Sequence, residues 1–399
     1  MRIAVIGAGA AGTMAAIFAA SADAEVLLLE RTRDGGRKIL ISGGGRCNVL
    51  PARVDESRFV TDSSSATLRN ILRSWPLREQ IAFFEHELGL PLIEEVESAK
   101  LFPVSNRARD VRDGLLRLAR DRGVTFLPET AVQRFGPASG GWRVERAGGP
   151  ALLVDRVIVA TGGLSVPKTG SDGVGLTVLG ELGHVVHPVY PALTPILADP
   201  APFAALAGVS LTVTITARSP ERSATATGGF LFTHHGYSGP AVLDVSHVAT
   251  RSRAATLLVQ WTPLGEPEWE AALKPAGAGA ILGALRRELP DRFAAALLQA
   301  AGVDPTRPLA QIRRDERRRL IEVLVRFELP WTGDEGYKKA EVTGGGVSLA
   351  EIDPRTMESR KHPGLFICGE ALDAFGPIGG YNFLWAWATG RAAGLGARK

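Results

Sequence analysis

At 399 residues the chain exceeds what one hydrophobic core usually holds, so two or more lobes are expected. Hydrophobic residues at 45% and charged residues at 22% exclude a disordered or fibrous polypeptide. The net charge of +4 is too small to single out a nucleic-acid binder, and two cysteines (Cys47, Cys368) exclude a disulfide framework or a Cys-based zinc site.

Glycine is the outlier. Its 46 copies are about 11.5% of the chain, against a usual value near 7%, and they cluster. Backbone must therefore approach something closely, or take positive φ, at several separate places. The first 25 residues carry an apolar run and small residues like those of a secretory leader, but Arg2 is a lone charge and spaced glycines interrupt the run. A cytoplasmic protein is expected, with no stretch apolar enough to span a bilayer.

Residues 2–30 read as strand, turn, helix, strand. Ile3–Ile6 is a short β-branched run suited to a buried parallel strand. Gly7, Ala8, Gly9, Ala10, Ala11 and Gly12 form a GxGxxG turn, Thr13–Ala22 an Ala-rich helix, and Glu25–Glu30 a second strand. In this context Gly7 allows the turn, Gly9 admits a pyrophosphate and Gly12 permits close helix packing. The helix start offers free N–H groups to phosphates, and Glu30 stands where a carboxylate accepts from ribose hydroxyls.

A glycine-rich stretch follows, with Gly36-Arg37-Lys38 and then Ser42-Gly43-Gly44-Gly45-Arg46-Cys47-Asn48. Residues 66–90 and 109–122 are predicted amphipathic helices; 124–134, 142–147 and 155–160 are predicted strands, the last ending in Ala160-Thr161-Gly162-Gly163. From about 190 the texture becomes alternating, as in Val209–Thr216, the period of half-buried antiparallel strands. Residues 267–328 read as mostly helical, and glycine clusters return near 337.

The expected fold class is α/β: a Rossmann-like FAD-binding domain of the two-dinucleotide-fold flavoprotein type, split in sequence. Its parts would be 1–190 and 337–399, around a 191–336 insert that is β-rich over 191–265 and helical over 266–330. FAD is preferred to NAD because three later segments, in order, resemble motifs of two-dinucleotide-fold flavoproteins: 36–48 their loop along the cofactor, 157–163 their second strand and turn, and Gly364–Glu370, ending in Gly369-Glu370, their late acidic motif. No second GxGxxG occurs, so any NAD(P)H donor would bind transiently at the flavin face.

GRKILISGGGRCNV (36–49), KLFPVSNRARDV (100–111), ATGGLSVPKTGSDGVG (160–175), FTHHGYSGPAVLDVS (232–246) and the block 340–394 resemble the BaiN/RdsA family of NAD(P)/FAD-dependent oxidoreductases. The resemblance covers most of the chain apart from 267–330. It implies noncovalent FAD and a substrate drawn from steroid-like enones, small amines or uridine in ribosomal RNA. The leading expectation is reduction of an activated C=C bond with NAD(P)H-derived electrons. The alternatives are an amine oxidase using O₂ and an RNA-directed flavoprotein.

The residues expected to hold the cofactor are those of the loop 7–12, Glu30 and Arg31, those of 36–38 and 42–48, Val132, Ala160 to Gly163, Gly369, Glu370 and Asp373, and Gly379, Gly380, Tyr381 and Asn382. The family's acid near the ribityl–phosphate region is more commonly Asp, so Glu370 is a departure. Cys47 and His234 are candidate proton donors for the C=C carbon that receives no hydride, with His235 and Tyr237 beside the latter. Trp385 and Trp387 are expected to be core side chains. Arg313, Arg314, Arg317, Arg318 and Arg319, mixed with Asp315 and Glu316, could be a solvated helix face or an RNA-facing one.

Overall fold

The computed structural model describes residues 1–275 and 279–399; the expected helical segment 266–330 therefore includes three positions outside the described residues. The chain divides into two compact units, Met1–Pro191 with Glu341–Lys399, and Ala192–Ala340. Each has its own hydrophobic core.

The first unit is built on five parallel strands in the order Leu365–Ile367, Arg156–Val159, Arg2–Ile6, Glu25–Leu29, Thr125–Leu127. Ile3, Val5, Leu28, Val157 and Ile158 are fully buried, as expected of continuous apolar runs in a sheet covered on both faces. The chain reverses direction of travel beside the first strand, which creates a crevice at the carboxyl ends of the strands.

On one face the helix Ala10–Ala19 lies against the last helix, Tyr381–Ala397. Small residues make this approach possible. A Cβ on Gly390 would stand 2.4 Å from Ala11 O, and one on Gly394 would stand 2.4 Å from Ala15 O. The alanine content of the first helix is thus a packing requirement as well as helix propensity.

Two predicted elements differ. The helix expected over 66–90 is Ser65–Arg73, then Leu77–Ala82 continuing into a π-turn, Phe83–Glu87. Pro76 separates them, because it lacks the N–H that a continuous helix requires. The strand expected over 124–134 is also two: Thr125–Leu127 joins the parallel sheet, and Val132–Ala138 opens a three-stranded antiparallel meander. Glu129, at φ +52°, turns the chain between them.

The second unit carries a seven-stranded antiparallel sheet centred on Ser210–Arg218 and Ser223–Thr233. Val213, Ile215 and Ala217 alternate inward onto an aromatic core of Phe230, Phe232, Trp261 and Phe293. Among the described residues four helices follow: Glu266–Ala272, Ile281–Leu285, Asp291–Ala300 and Arg314–Val325. In the last of these the basic run is largely neutralised. Buried Glu316 takes Arg307 and Arg313, Asp315 takes Arg319 at 2.9 Å, and Glu270 takes Arg317 at 3.0 Å. Arg314 and Arg318 are exposed, and among the described residues neither has an ion pair.

Candidate functional site

A cavity of about 760 Å³ opens at the carboxyl ends of the parallel strands, lined wholly by the first unit. Three stations can be followed along it by side-chain contact.

At the first station, Glu30 ends the second strand. Its carboxylate accepts from Ala8 N–H at 2.8 Å, Thr32 N–H at 2.8 Å and Thr32 Oγ1 at 2.7 Å. This pins the glycine loop to the neighbouring strand and fills both lone pairs of Oε1, leaving one on Oε2. Arg31, Val132, Thr130 and Gly170 to Asp172 complete this end, with Arg31 paired to Asp172.

The second station is the start of the first helix. Gly7 has φ +102°, and a Cβ there would strike Ala160 O at 2.6 Å, so only glycine fits. Gly9 is different: a Cβ would meet nothing within 4 Å, because the position faces open cavity. No side chain caps this helix and no acid stands in its first turn, so its leading N–H groups and positive dipole end are free. Beside it, Lys38 Nζ donates to Glu370 Oε2 at 2.7 Å and to Ser165 Oγ at 2.5 Å. Glu370 also accepts from Ser165 Oγ at 2.7 Å and from Thr343 N–H at 3.0 Å. Burial alone would raise the Glu370 pKa, but the Lys38 charge and these hydrogen bonds outweigh it and hold the carboxyl below its usual range.

The third station gathers the loop 42–48 and the start of the last helix. A Cβ on Gly43 would lie 3.0 Å from the Phe102 ring and from Asn48 N. The Arg46 guanidinium stands 4.1 Å from the Phe102 centroid. In the amide orientation that satisfies its neighbours, Asn48 accepts from Gly380 N–H at 2.9 Å and donates to Leu50 O at 3.0 Å. Asn382 grips Gly376 at both backbone groups, each at 2.9 Å. The last helix, like the first, has no side-chain cap at its start.

Gly7, Gly9, Ala10, Ala11, Glu30, Arg31, Gly36, Arg37, Lys38, Ser42, Gly43, Gly44, Arg46 and Asn48 all line this one cavity. So do Val132, Ala160, Thr161, Gly162, Gly369, Glu370, Gly379, Gly380 and Asn382. The remaining expected residues lie behind it. Ala8 is buried under the loop, and a Cβ on Gly12 would lie 1.8 Å from Gly7 O. A Cβ on Gly163 would stand 2.3 Å from Thr343 Oγ1, and Gly45 is exposed outside the lining. Asp373 is buried and clamps the turn at 61–63, accepting from Ser63 Oγ at 2.8 Å and Asp62 N–H at 2.9 Å. Tyr381 packs on Phe59 and donates to Arg53 O at 3.3 Å.

The candidate proton donors divide between the two units. Cys47 is fully buried, does not line the cavity, and burial pushes its thiol up to about 12. Its side chain is a small apolar plug beneath the loop. His234 and His235 are exposed on a turn of the second unit. Tyr237 is buried in that unit's core, its hydroxyl without a partner among the described residues and its pKa raised by burial. Trp387 is a core side chain as expected; Trp385 is buried too, yet one edge lines the cavity.

Sequence reasoning missed Lys100, Phe102, Phe375 and Phe383, which line the third station. Lys100 and Phe102 open one of the recognised motifs, and their spacing of two on a strand was the available signal for a shared face.

The HI0933-like protein Rossmann domain family matches residues 1–396. The 3-dehydro-bile acid delta(4,6)-reductase of Clostridium scindens is 32% identical, covering 100% of this chain and 99% of that one. The ribosomal RNA dihydrouridine synthase of Escherichia coli is also 32% identical, covering 96% of this chain and 95% of that one. Among solved structures, the 3-ketosteroid delta1-dehydrogenase of Sterolibacterium denitrificans covers 100% of this chain and 99% of its own, at TM-score 0.54 and 13% identity. That last likeness concerns the fold, which is Rossmann-like. With its Gly7-to-Gly12 loop, Lys38–Glu370 pair and 340–394 block set along one cavity, the chain belongs to the HI0933-like family, the group of BaiN/RdsA-type flavoproteins its motifs resemble.

Proposed function

We propose that the protein is an FAD-dependent reductase that uses NAD(P)H electrons to saturate an activated C=C bond, acting in the reducing cytoplasm. The first unit is read as the FAD-binding domain and the second as its insert. The observation that carries this reading is the open face at Gly9, beside an uncapped helix start and between two further polar stations of one cavity. Such a cradle fits an extended dinucleotide: ribose at Glu30, pyrophosphate at Gly9 to Ala11, and the ring system between Asn48 and Gly379.

Bound FAD would supply two-electron transfer between nicotinamide and substrate, chemistry that no side chain offers. The protein's own groups would do the rest. Free N–H groups of the first helix would hold the phosphates. Glu30 would orient the ribose, and Lys38, fixed by Glu370, would face the middle of the cofactor. N–H groups at the start of the last helix would favour negative charge at the ring end.

Two full-length relatives whose names denote saturation of a C=C bond, one in a bile acid and one in RNA, support this reaction class. The exposed Arg314 and Arg318 favour keeping RNA as the second substrate reading. The test is anaerobic. NADH or NADPH should bleach the bound flavin, and an enone or uridine-containing ribosomal RNA should restore its colour; the acceptor that does so names the substrate class. A flavin inert to both nicotinamides would overturn the proposal.

A further inference from the structure

Five cationic side chains line the cavity, and four have carboxylate partners: Arg31 with Asp172, Arg37 with Asp34, Lys38 with Glu370 and Arg46 with Glu95. Lys100 has no carboxylate at ion-pair distance among the described residues, although its charge reaches Glu95. The carboxylate opposite it across the hairpin, Glu95, is committed: one oxygen accepts from Arg46 at 2.8 Å and the other from Ser98 Oγ at 2.6 Å. Lys100 is half-buried on the strand Lys100–Pro103, whose alternation turns Lys100 and Phe102 to the cavity and Leu101 to the core. Its Cε stands 3.7 Å from where a Cβ of Gly379 would be, at the third station.

An ammonium that no carboxylate salt-bridges, in a partly water-excluded pocket, attracts an oxygen that gains negative charge more than one that is already neutral and stays so. We propose that Lys100 binds the carbonyl oxygen of an α,β-unsaturated carbonyl substrate and carries the charge that develops there. The inference rests on the reductase reading above. In the balanced step the C=C π bond is lost and two C–H bonds form. The β-carbon gains a hydrogen with its electron pair, supplied ultimately by NAD(P)H, which is oxidised to NAD(P)⁺. The displaced π pair rests on the carbonyl oxygen facing Lys100. It then returns to bind a proton from solvent at the α-carbon.

The test uses the FAD-loaded protein with Lys100→Met and Lys100→Arg, read in three ways. 4-Chlorophenol, titrated as an unreactive oxyanion probe, should bind Lys100→Met at least ten-fold more weakly than wild type. NADPH should reduce the flavin of the variant at the wild-type rate. Turnover of 2-cyclohexenone should fall about a hundred-fold, the usual effect of losing one oxyanion donor, and Lys100→Arg should recover most of both losses. Unchanged phenol affinity in Lys100→Met overturns the proposal, as does loss of bound FAD, which would assign the lysine to the cofactor. A wild type that binds the phenol through Lys100 yet whose flavin neither nicotinamide reduces supports the oxyanion role and refutes the reductase reading instead.

Discussion

Lys38 Nζ donates to Glu370 Oε2 at 2.7 Å, joining groups 332 residues apart in the chain. The pair ties the short helix Arg37–Ile41 to the turn that follows the last strand of the parallel sheet. Both side chains are mostly shielded, at 27% and 17% exposure, so breaking the pair should cost stability.

Glu370→Gln should lower the stability of the FAD-free protein by about 2 kcal/mol at pH 7, less than for a fully buried pair. The Glu370 pKa is lowered in the fold, so its contribution is present above the unfolded carboxyl value of 4.5 and is lost as pH falls through the folded value. Urea midpoints of wild type and variant should therefore differ at pH 7 and converge below about pH 4.5. A gap that stays constant with pH would contradict the charge argument.

His184 makes an opposite kind of prediction. Burial lowers its pKa from 6.5 more than the adjacent Glu351 raises it, with His362 and Lys361 adding repulsion. The unfolded chain therefore binds the proton more readily, so no cost applies above pH 6.5 and a cost grows as pH falls below it. His184→Gln should flatten the decline in thermal midpoint between pH 7 and pH 5.5. An unchanged slope would place that titration elsewhere.

Cys47 should behave as an inert core thiol. Burial holds its pKa near 12, so a disulfide reagent at pH 8 should label neither it nor the equally buried Cys368 until the protein unfolds. Cys47→Ser should keep turnover within about three-fold, allowing for loss of a small buried apolar group. Rapid labelling, or a loss of activity with FAD still bound, would restore it as a proton donor.

Gly390→Ala should destabilise the fold by several kcal/mol, because the new methyl would meet backbone at 2.4 Å where the first and last helices touch. Thermal melting of the FAD-free protein measures this directly. A shift of less than one degree would mean that the helices part easily.

The first βαβ unit was legible because its signals are local: an apolar run, glycines at fixed spacing and an acid at the next strand end. The late motif was legible as a pattern, but the partner of Glu370 was not, since Lys38 meets it only through the folded sheet. Cys47 lies within the right loop, but whether a side chain faces ligand or core depends on φ, here +62°, which no spacing reveals. Lys100 sits in a recognised segment, but its want of a close carboxylate is set by the fold, where Arg46 and Ser98 occupy the Glu95 oxygens opposite it.

The central claim is that the cavity holds FAD against the Gly9 backbone, and titration calorimetry of FAD into FAD-free wild type and Gly9→Val tests it most directly. Gly9 has extended backbone at φ −79° and room for a side chain, so the variant should melt at the wild-type temperature. The account predicts one FAD bound by wild type and none by Gly9→Val. Stoichiometric FAD on the variant, or none on the wild type, would contradict it.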